Sequence, residues 1–350
     1  MNSDKSNTSS RKKEHLELCL SDEVAYKTKS TGFEYYDFEH YAITEVDIDK
    51  INFRTKFLGK KIDYPFLISC MTGGTSEAEN INAQLAMVAE NLNIPIGVGS
   101  QRQALENDDF AESFKTVRRN APKVPVLGNI GASQVVQVES MDPLFRLVEM
   151  IEADGVVVHI NPLQELLQKE GETNFNGLLK KIKSIVKKLS VPIIIKEVGA
   201  GISYKAASKL LDAGVEGIDV AGAGGTSWAG VEILRNKDNN EKDNYFWEWG
   251  LPTSYCIKEV HKLKNNFKFR LIGSGGINNA IDAAKAIALG ADIVASARVI
   301  LLELQNSGIE GTQKLITSWF DTIRRIMYLT GSKSLKQLKE NKLIRKDLLY

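Results

Sequence analysis

Short apolar runs alternate with longer amphipathic segments along most of this chain. Runs rich in β-branched residues have the length and composition of buried parallel strands, and they cover residues 65–69, 94–98, 124–129, 155–159, 192–196, 217–221, 270–273 and 291–295. Between them, helical periodicity is clearest at residues 80–92, 143–152, 175–189, 204–213 and 280–289. Eight βα units in one chain of 350 residues favour an α/β fold, a TIM (β/α)8 barrel, over an open sheet.

The rest of the chain divides into flanking segments. Residues 1–13 are rich in Ser, Asn and Lys, and are predicted to be mobile until something binds them. Residues 14–63 lack a clear period and are predicted to be an N-terminal extension packed on the barrel. The barrel itself is predicted to span residues 64–335, followed by a C-terminal tail, 336–350. A long connection at 222–252 is typical of a lid, a binding loop or a disordered segment.

Charge and cysteine content narrow the classes of function. The 45 Lys and Arg nearly balance 44 Asp and Glu, so no overall charge attracts nucleic acid or an anionic membrane. Cys19, Cys70 and Cys256 are odd in number and irregularly spaced, which argues against a disulfide framework or a CxxC zinc site. Residues 1–13 lack the apolar region of a secretory signal, and no apolar run approaches the roughly 20 residues of a spanning helix. We therefore expect a cytoplasmic protein with neither a nucleic-acid nor a membrane partner.

Polar residues follow the predicted fourth strand directly. His159, Asn161, Gln164 and Glu165 come immediately after the apolar run that begins at residue 155. Parallel α/β folds carry their chemistry at the carboxyl ends of the strands, so this cluster is a candidate site. An ordinary βα loop, with a capping amide and Pro162 at the helix start, explains the same residues equally well.

Glycine-rich loops follow the sixth and seventh predicted strands. At 271–277 a strand runs into glycines and then a helix, so that backbone N–H groups and a helix N-terminus can bind phosphate. A tight turn that needs glycine for positive φ is the alternative. The loop at 222–226 adds a second glycine cluster and the Thr226 hydroxyl. Lys196 ends the fifth strand, where it either meets an electron-rich partner or extends to solvent.

Other strand ends add polar groups to the same rim. Met71, Thr72 and Gly73 follow the first strand; Ser100, Gln101 and Arg102 follow the second; Asn129 ends the third. Arg102 can bind phosphate through its bidentate guanidinium. This convergence indicates a flat cofactor with polar edges and a phosphate tail. The basic pair Arg11 and Lys12 lies near the N-terminus, where such a cluster is more often a solvated tail.

Taken together, an ordered series of motifs resembles the type 2 isopentenyl-diphosphate isomerases, the flavin-dependent class. The motifs are Arg11-Lys12-Lys13-Glu14-His15, Met71-Thr72-Gly73-Gly74, Gly97-Val98-Gly99-Ser100-Gln101-Arg102, His159-Ile160-Asn161-Pro162-Leu163-Gln164-Glu165, Gly224-Gly225-Thr226 and Gly273-Ser274-Gly275-Gly276-Ile277. The resemblance runs in order from about residue 11 to residue 332. Its most specific part is the HxNxxQE series after the fourth strand.

The resemblance implies a barrel enzyme that interconverts isopentenyl and dimethylallyl diphosphate with FMN, Mg2+ and NADPH or NADH as the flavin reductant. By position it assigns FMN binding to Met71, Thr72, Gly73, Ser100, Asn129, Lys196, Thr226, Gly276, Ile277, Asn278, Ala297 and Arg298. It assigns substrate contacts to Arg11, Lys12, Ser100, Gln101, Arg102 and Gln164. Glu165 would bind the metal, and Gln164, His159 and Asn161 would be catalytic. A homo-oligomer, a tetramer or an octamer, is also expected.

The implied chemistry is a 1,3 proton shift without net redox change, in which reduced FMN serves as acid and base beside the alkene. Residues 1–13 would order over the diphosphate and exclude water. Two positions depart from the family pattern: Ala221 stands where Ser is common, and Asn278 stands where Arg is frequent. Both could weaken FMN binding.

Two other functions compete with this interpretation. FMN enzymes that oxidise 2-hydroxy acids need a histidine base near an arginine, typically in the loop after the sixth strand. Residues 222–228 here, Gly-Ala-Gly-Gly-Thr-Ser-Trp, contain neither. A non-catalytic sensor of flavin or isoprenoid phosphate predicts the loss of acid and amide positions, yet Gln164 and Glu165 are present.

Overall fold

The computed structural model describes residues 14–15, 17–236, 241–340 and 343–349. In this part of the chain the strands are β1 (Tyr36–Phe38), β2 (Thr55–Phe57), β3 (Lys60–Ile62), β4 (Phe66–Ile68), β5 (Ile96–Gly97), β6 (Val126–Gly131), β7 (Gly155–Ile160), β8 (Ile193–Glu197), β9 (Gly217–Asp219), β10 (Arg270–Gly273), β11 (Ile293–Ser296) and β12 (Leu343–Arg345). Strands β4 to β11 pair in parallel in chain order, and β11 pairs with β4 to close a barrel. The predicted TIM barrel and its strands are confirmed.

Helices cover the outside of this barrel. They are α1 (Ser76–Leu92), α2 (Arg102–Glu106), α3 (Glu112–Asn120), α4 (Ala132–Gln137), α5 (Asp142–Met150), α6 (Pro162–Leu167), α7 (Leu178–Lys188), α8 (Tyr204–Asp212), α9 (Trp228–Arg235), α10 (Thr253–His261), α11 (Ala280–Ala288), α12 (Arg298–Leu329) and α13 (Leu335–Glu340). The predicted amphipathic segments correspond to α1, α5, α7, α8 and α11 and are confirmed. The hydroxyl of Thr75 caps α1 by accepting from the N–H of Ala78, and Asn93 ends that helix in the left-handed region.

A hairpin made of β2 and β3 closes the amino-terminal end of the barrel. Its turn residues Leu58 and Gly59 have φ of 47° and 81°, the positive values that a tight two-residue hairpin turn requires. Phe57 and Ile62 are fully buried among the side chains that fill the barrel interior. Lys60 donates to the carbonyl of Val124, just before β6. The sequence interpretation treated this stretch as lacking a period and did not anticipate the hairpin.

The flanking segments pack on the outside and on the opposite end. Strand β1 pairs antiparallel with β12, so the predicted extension and the predicted tail contact each other. Ala25 forms a bridge with Thr226 in the loop after β9. The predicted boundaries at 13, 63 and 335 stay predictions, and residues 1–13 lie outside the described residues. Among the described residues, no helix is long and apolar enough to cross a membrane.

Candidate active site

A cavity of about 400 Å3 opens at the carboxyl-terminal end of the barrel. Residues from most strand ends line it, as the sequence predicts for a barrel of this kind. The predicted site residues in its wall are Met71, Thr72, Gly73, Ser100, Arg102, Asn129, His159, Asn161, Gln164, Glu165, Lys196, Thr226, Gly276, Asn278, Ala297 and Arg298. Arg11 and Lys12 lie outside the described residues. Their contact with a substrate stays a prediction.

The structure does not bring the side chains of Gln101 and Ile277 into this cavity. Gln101 is fully buried; its Nε2 donates to the carbonyl of Leu147 and its Oε1 accepts from the N–H of Asn129, at 3.1 and 3.0 Å. Its side-chain amide therefore links neighbouring βα units and does not face the cavity. Ile277 packs in the core, 1% exposed, so any contact with a cofactor would come from its backbone.

The glycine loop after β10 has the shape of a phosphate site. Gly275 and Gly276 have φ of 100° and 67°, a region that favours glycine. In the described part of the chain, the N–H groups of Gly276 and Ile277 have no protein acceptor. A Cβ on Gly225 would lie 2.6 Å from the nitrogen of Gly276, so the two glycine loops must approach each other without side chains. Unpaired N–H groups at such a loop suit a phosphate.

Arg298 lies at the start of α12, on the phosphate side of the cavity. Its guanidinium donates to the carbonyls of Cys19 and Ser21, at 2.7 and 3.1 Å, which ties the N-terminal extension to the barrel mouth. Asn278 is exposed beside it, and Ala221 lines the cavity with φ of 35°. The two departures from the family pattern therefore both lie at the cavity.

Five polar side chains form a row across adjacent strand ends, called here the polar row: Asn129, His159, Lys196, Asp219 and Ser274. His159 Nδ1 lies 2.9 Å from Asn129 Oδ1, and His159 and Lys196 are register partners, as are Lys196 and Asp219. Burial and the nearby ammonium of Lys196 lower the pKa of His159 to about 4. The imidazole is therefore neutral near pH 7. Sequence reasoning missed Asp219, although an acid inside an apolar strand is a usable signal.

Asn161, Gln164 and Glu165 form a second cluster at the start of α6. Asn161 Nδ2 donates to Gln164 Oε1 and Glu165 Oε1, at 3.1 and 2.9 Å. The other oxygen of Glu165 accepts from the N–H of Glu172 at 2.7 Å. Asn161 Oδ1 is buried and has no partner in the described part of the chain, which is costly unless a ligand fills that role. Gly171 permits this arrangement, because a Cβ there would lie 1.8 Å from the carbonyl oxygen of Glu165.

Glu232 on α9 joins this cluster from the other side. Its side chain is 1% exposed, accepts from Gln164 Nε2 at 2.9 Å, and pairs with His15 and Arg235. Burial raises its pKa, but the hydrogen bonds from His15 and Gln164 and the charge of Arg235 outweigh it, so that the pKa lies below its usual range. Sequence reasoning missed Glu232 and His15 as site residues. A lone acid within an otherwise apolar helix was the available signal.

The donors present fit a cation that is shared with a ligand. Among the described residues, no group of three or more His, Cys, Asp or Glu side chains could hold a metal by itself. Glu165 supplies one carboxylate, and the unpaired oxygen of Asn161 lies in the same cluster. Mg2+ prefers such oxygen ligands and commonly completes its shell with substrate phosphates and water. These two oxygens could supply part of the shell of such a cation, with the rest left to a ligand or water.

Comparison with known proteins identifies the family. The profile of a family described as FMN-dependent dehydrogenase matches residues 5–120 and 159–345. A protein from Chlorobium luteolum named isopentenyl-diphosphate delta-isomerase is 46% identical over 96% of this chain and 95% of its own length. One from Nostoc sp. with the same name is 43% identical over 97% of this chain and 96% of its own.

Solved structures match the fold at lower identity. A lactate oxidase from Pediococcus acidilactici superposes with a TM-score of 0.70 at 15% identity, covering 96% of this chain and 94% of the oxidase. A mandelate oxidase gives 0.67, also at 15% identity, covering 95% and 94%. At this identity the likeness concerns the barrel alone. The chain itself belongs to the FMN-dependent dehydrogenase family and, within it, to the isopentenyl-diphosphate delta-isomerases.

Proposed function

We propose that this enzyme interconverts isopentenyl and dimethylallyl diphosphate by a 1,3 proton shift, with FMN and Mg2+ bound in the cavity. One observation carries the proposal: the cluster of Asn161, Gln164 and Glu165 lies in the same cavity as the glycine loop after β10. An amide and a carboxylate beside a phosphate-binding loop suit a diphosphate substrate. The loop 222–228 contains no histidine or arginine, which argues against the oxidation of 2-hydroxy acids.

The residues predicted for FMN divide the cavity between phosphate and ring. Gly276, Asn278, Ala297 and Arg298 would hold the phosphate tail, while Met71, Thr72, Ser100, Asn129, Lys196 and Thr226 would border the ring. Reduced FMN, once bound, would supply an acid and base beside the alkene and an electron-rich face next to developing positive charge. The ammonium of Lys196 would favour the anionic reduced form.

Gln164 would position the alkene end of the substrate. Its amide is fixed on both sides, since its oxygen accepts from Asn161 and its nitrogen donates to Glu232. A side chain held by two hydrogen bonds keeps one orientation, which is what positioning a proton shift requires. Neutral His159, held by Asn129, can contact the substrate or the cofactor without adding charge.

Glu165 and Arg102 would hold the diphosphate. Glu165 would bridge to it through Mg2+. Arg102 now pairs with Glu106 and Glu172, at 2.9 and 3.2 Å, and is partly exposed, so a diphosphate can replace these partners at small cost. Arg11 and Lys12 would neutralise the remaining charge if residues 1–13 close over the substrate.

Three further expectations belong to this proposal: NADPH or NADH as the flavin reductant, a tetrameric or octameric assembly, and a cytoplasmic location. Cys19, Cys70 and Cys256 are free thiols in the structure. Mass photometry would test the assembly.

The decisive experiment is anaerobic incubation of the purified protein with reduced FMN, Mg2+ and isopentenyl diphosphate. We expect dimethylallyl diphosphate to form, and its absence would overturn the proposal. Lactate and mandelate serve as control substrates, and we expect neither to reduce the bound FMN. Glu165→Gln should shift the Mg2+ dependence of the rate to higher concentration, whereas an unaltered metal titration would remove Glu165 from the metal site.

A further inference from the structure

Asp219 ends strand β9 immediately behind the cavity wall. Its side chain is 2% exposed and is not part of the cavity lining. One carboxylate oxygen accepts from the hydroxyl of Ser274, and the other lies 3.7 Å from the ammonium of Lys196. Both partners do line the cavity. Asp219 is therefore one layer removed from any ligand and can act on it only through these two residues.

A carboxylate this deeply buried is expensive unless it is paired. Asp219 is paired twice, and each partner leads to a different part of the proposed flavin site. Lys196, on β8, is the predicted cation beside the ring. Ser274 is the first residue after β10 and starts the glycine loop that would hold the phosphate. One side chain thus connects the proposed ring site to the proposed phosphate site.

We propose that Asp219 is a positioning residue of the flavin site: it offsets the charge of the Lys196 ammonium, which the carbonyl of Glu197 holds at the cavity floor, and so sets the reduction potential of bound FMN. This inference rests on the proposed function, because it requires FMN to lie against Lys196.

The direction of the effect follows from charge. The ammonium of Lys196 stabilises the negative charge that the flavin gains on reduction, which raises its potential. The carboxylate of Asp219 opposes that effect from behind. Two titratable neighbours of this pair, His159 and Cys70, have their pKa values shifted to about 4 and about 12 and are neutral near pH 7. Glu197 also lies close to Lys196, and burial raises the pKa of its carboxyl group. Within the polar row, Lys196 and Asp219 carry the charge.

Two substitutions shift this balance in opposite directions. Asp219→Asn removes the negative charge at nearly constant volume, leaves Lys196 uncompensated, and should raise the midpoint potential of the FMN. Ser274→Ala removes the hydroxyl that disperses the carboxylate charge, strengthens the opposing field, and should lower the potential. A purely structural role for Asp219 would instead weaken FMN retention in both variants and move both potentials the same way or not at all.

The test is an anaerobic redox titration of each holoenzyme against reference dyes, without isoprenoid, together with thermal unfolding. A higher potential for Asp219→Asn and a lower one for Ser274→Ala support the inference. A potential for Asp219→Asn equal to or below wild type overturns it. If Asp219→Asn fails to fold, Ser274→Ala alone decides, and a potential equal to or above wild type overturns the inference. Failure of the wild type to bind FMN would instead refute the proposed function, so the two failures are distinguishable.

Discussion

The two ends of the barrel use their carboxylates in different ways. At the amino-terminal end, Asp154 accepts from Lys60, Arg118 and the N–H of Val126. Asp292 repeats this arrangement with Lys264, Lys339 and the N–H of Leu271. Each carboxylate therefore has two cations and a strand N–H that fix it in place.

At the carboxyl-terminal end, Glu165 and Glu197 accept their hydrogen bonds from neutral groups, whereas Glu232 pairs with Arg235 and His15. Glu165 is held by the amide of Asn161 and a backbone N–H. Glu197 accepts from the N–H groups of residues 198–201, and burial raises its pKa despite them. Charge here is left only partly compensated. A ligand that brings positive charge, such as a metal ion, would complete the compensation.

This difference indicates that the carboxylates at the amino-terminal end stabilise the barrel, whereas those at the carboxyl-terminal end serve ligand binding. A fully neutralised carboxylate adds rigidity but offers nothing to a ligand, whereas a partly neutralised one costs stability and gains binding. Substitutions at the amino-terminal end should therefore lower the free energy of unfolding without changing ligand affinity. Substitutions at the carboxyl-terminal end should change ligand affinity or turnover more than the free energy of unfolding.

The largest effect is expected at the carboxyl-terminal end, for Gln164→Ala. Loss of the fixed amide should lower kcat about 1000-fold, while FMN content and melting temperature stay near wild type, because Glu232 keeps His15 and Arg235 as partners. Steady-state kinetics and flavin absorbance measure both properties. Unchanged turnover would show that Gln164 has no role in the reaction, and would argue against a functional difference between the two ends of the barrel.

At the amino-terminal end, Asp292→Asn should lower the free energy of unfolding by about 3 kcal/mol, because it leaves Lys264 and Lys339 without their shared carboxylate. FMN affinity should not change. Urea unfolding measures the loss, with Asp321→Asn as control, since its pair with Arg324 is exposed and contributes little. A large loss of FMN affinity in Asp292→Asn would show that the two ends are coupled.

A smaller effect is expected for Gly171→Ala. The added Cβ would push residue 171 away from Glu165. The backbone N–H of Glu172 would then move away from the Glu165 carboxylate that it donates to. Mg2+ affinity in the presence of substrate should fall about 10- to 100-fold, with little change in FMN binding. Thr173→Ala, at an exposed neighbouring position, is the matched control. Equal Mg2+ affinities in the two variants would contradict the role of the Glu172 N–H.

The smallest effect concerns His159 and pH. Its pKa is about 4 in the folded protein and about 6.5 unfolded, so the unfolded chain binds more protons between these values. Stability should therefore fall as pH decreases from about 6.5 towards 4, by about 1 kcal/mol at pH 5.5. His159→Gln should remove this part of the pH dependence, measured as melting temperature against pH. Parallel curves for the two proteins would contradict the lowered pKa.

Much of this architecture could be predicted from the sequence, because strand and helix periodicities are local. Most of the polar residues predicted at strand ends lie at one mouth of the barrel, since parallel strands all end on the same side. Contacts between residues that are far apart in sequence but adjacent in the fold were harder to predict. Glu232, Asp219 and His15 are site residues because each pairs with a side chain on another helix or strand. The local spacing of residues in the sequence does not reveal such a pair.

Gln101 shows the converse limit. Its position beside Ser100 and Arg102 suggested a ligand contact, but its side-chain amide is buried and bonds to Leu147, Met150 and Asn129, so that only a contact through its backbone stays a prediction. Whether a side chain turns inward is decided by which buried groups need partners, which the sequence alone does not display. The β2–β3 hairpin was missed for a related reason. Its apolar residues are few, and they become part of the core only because the hairpin packs against the barrel interior.

The pairing of β1 with β12 has a consequence for synthesis. Tyr36–Phe38 leaves the ribosome roughly 300 residues before its partner Leu343–Arg345, a delay of about 15 to 60 s at ordinary rates of translation. During that interval Tyr36–Phe38 has no strand to pair with, and at three residues it offers only a short edge to other chains. The N-terminal extension can therefore reach its final packing only after residues 343–345 have been made.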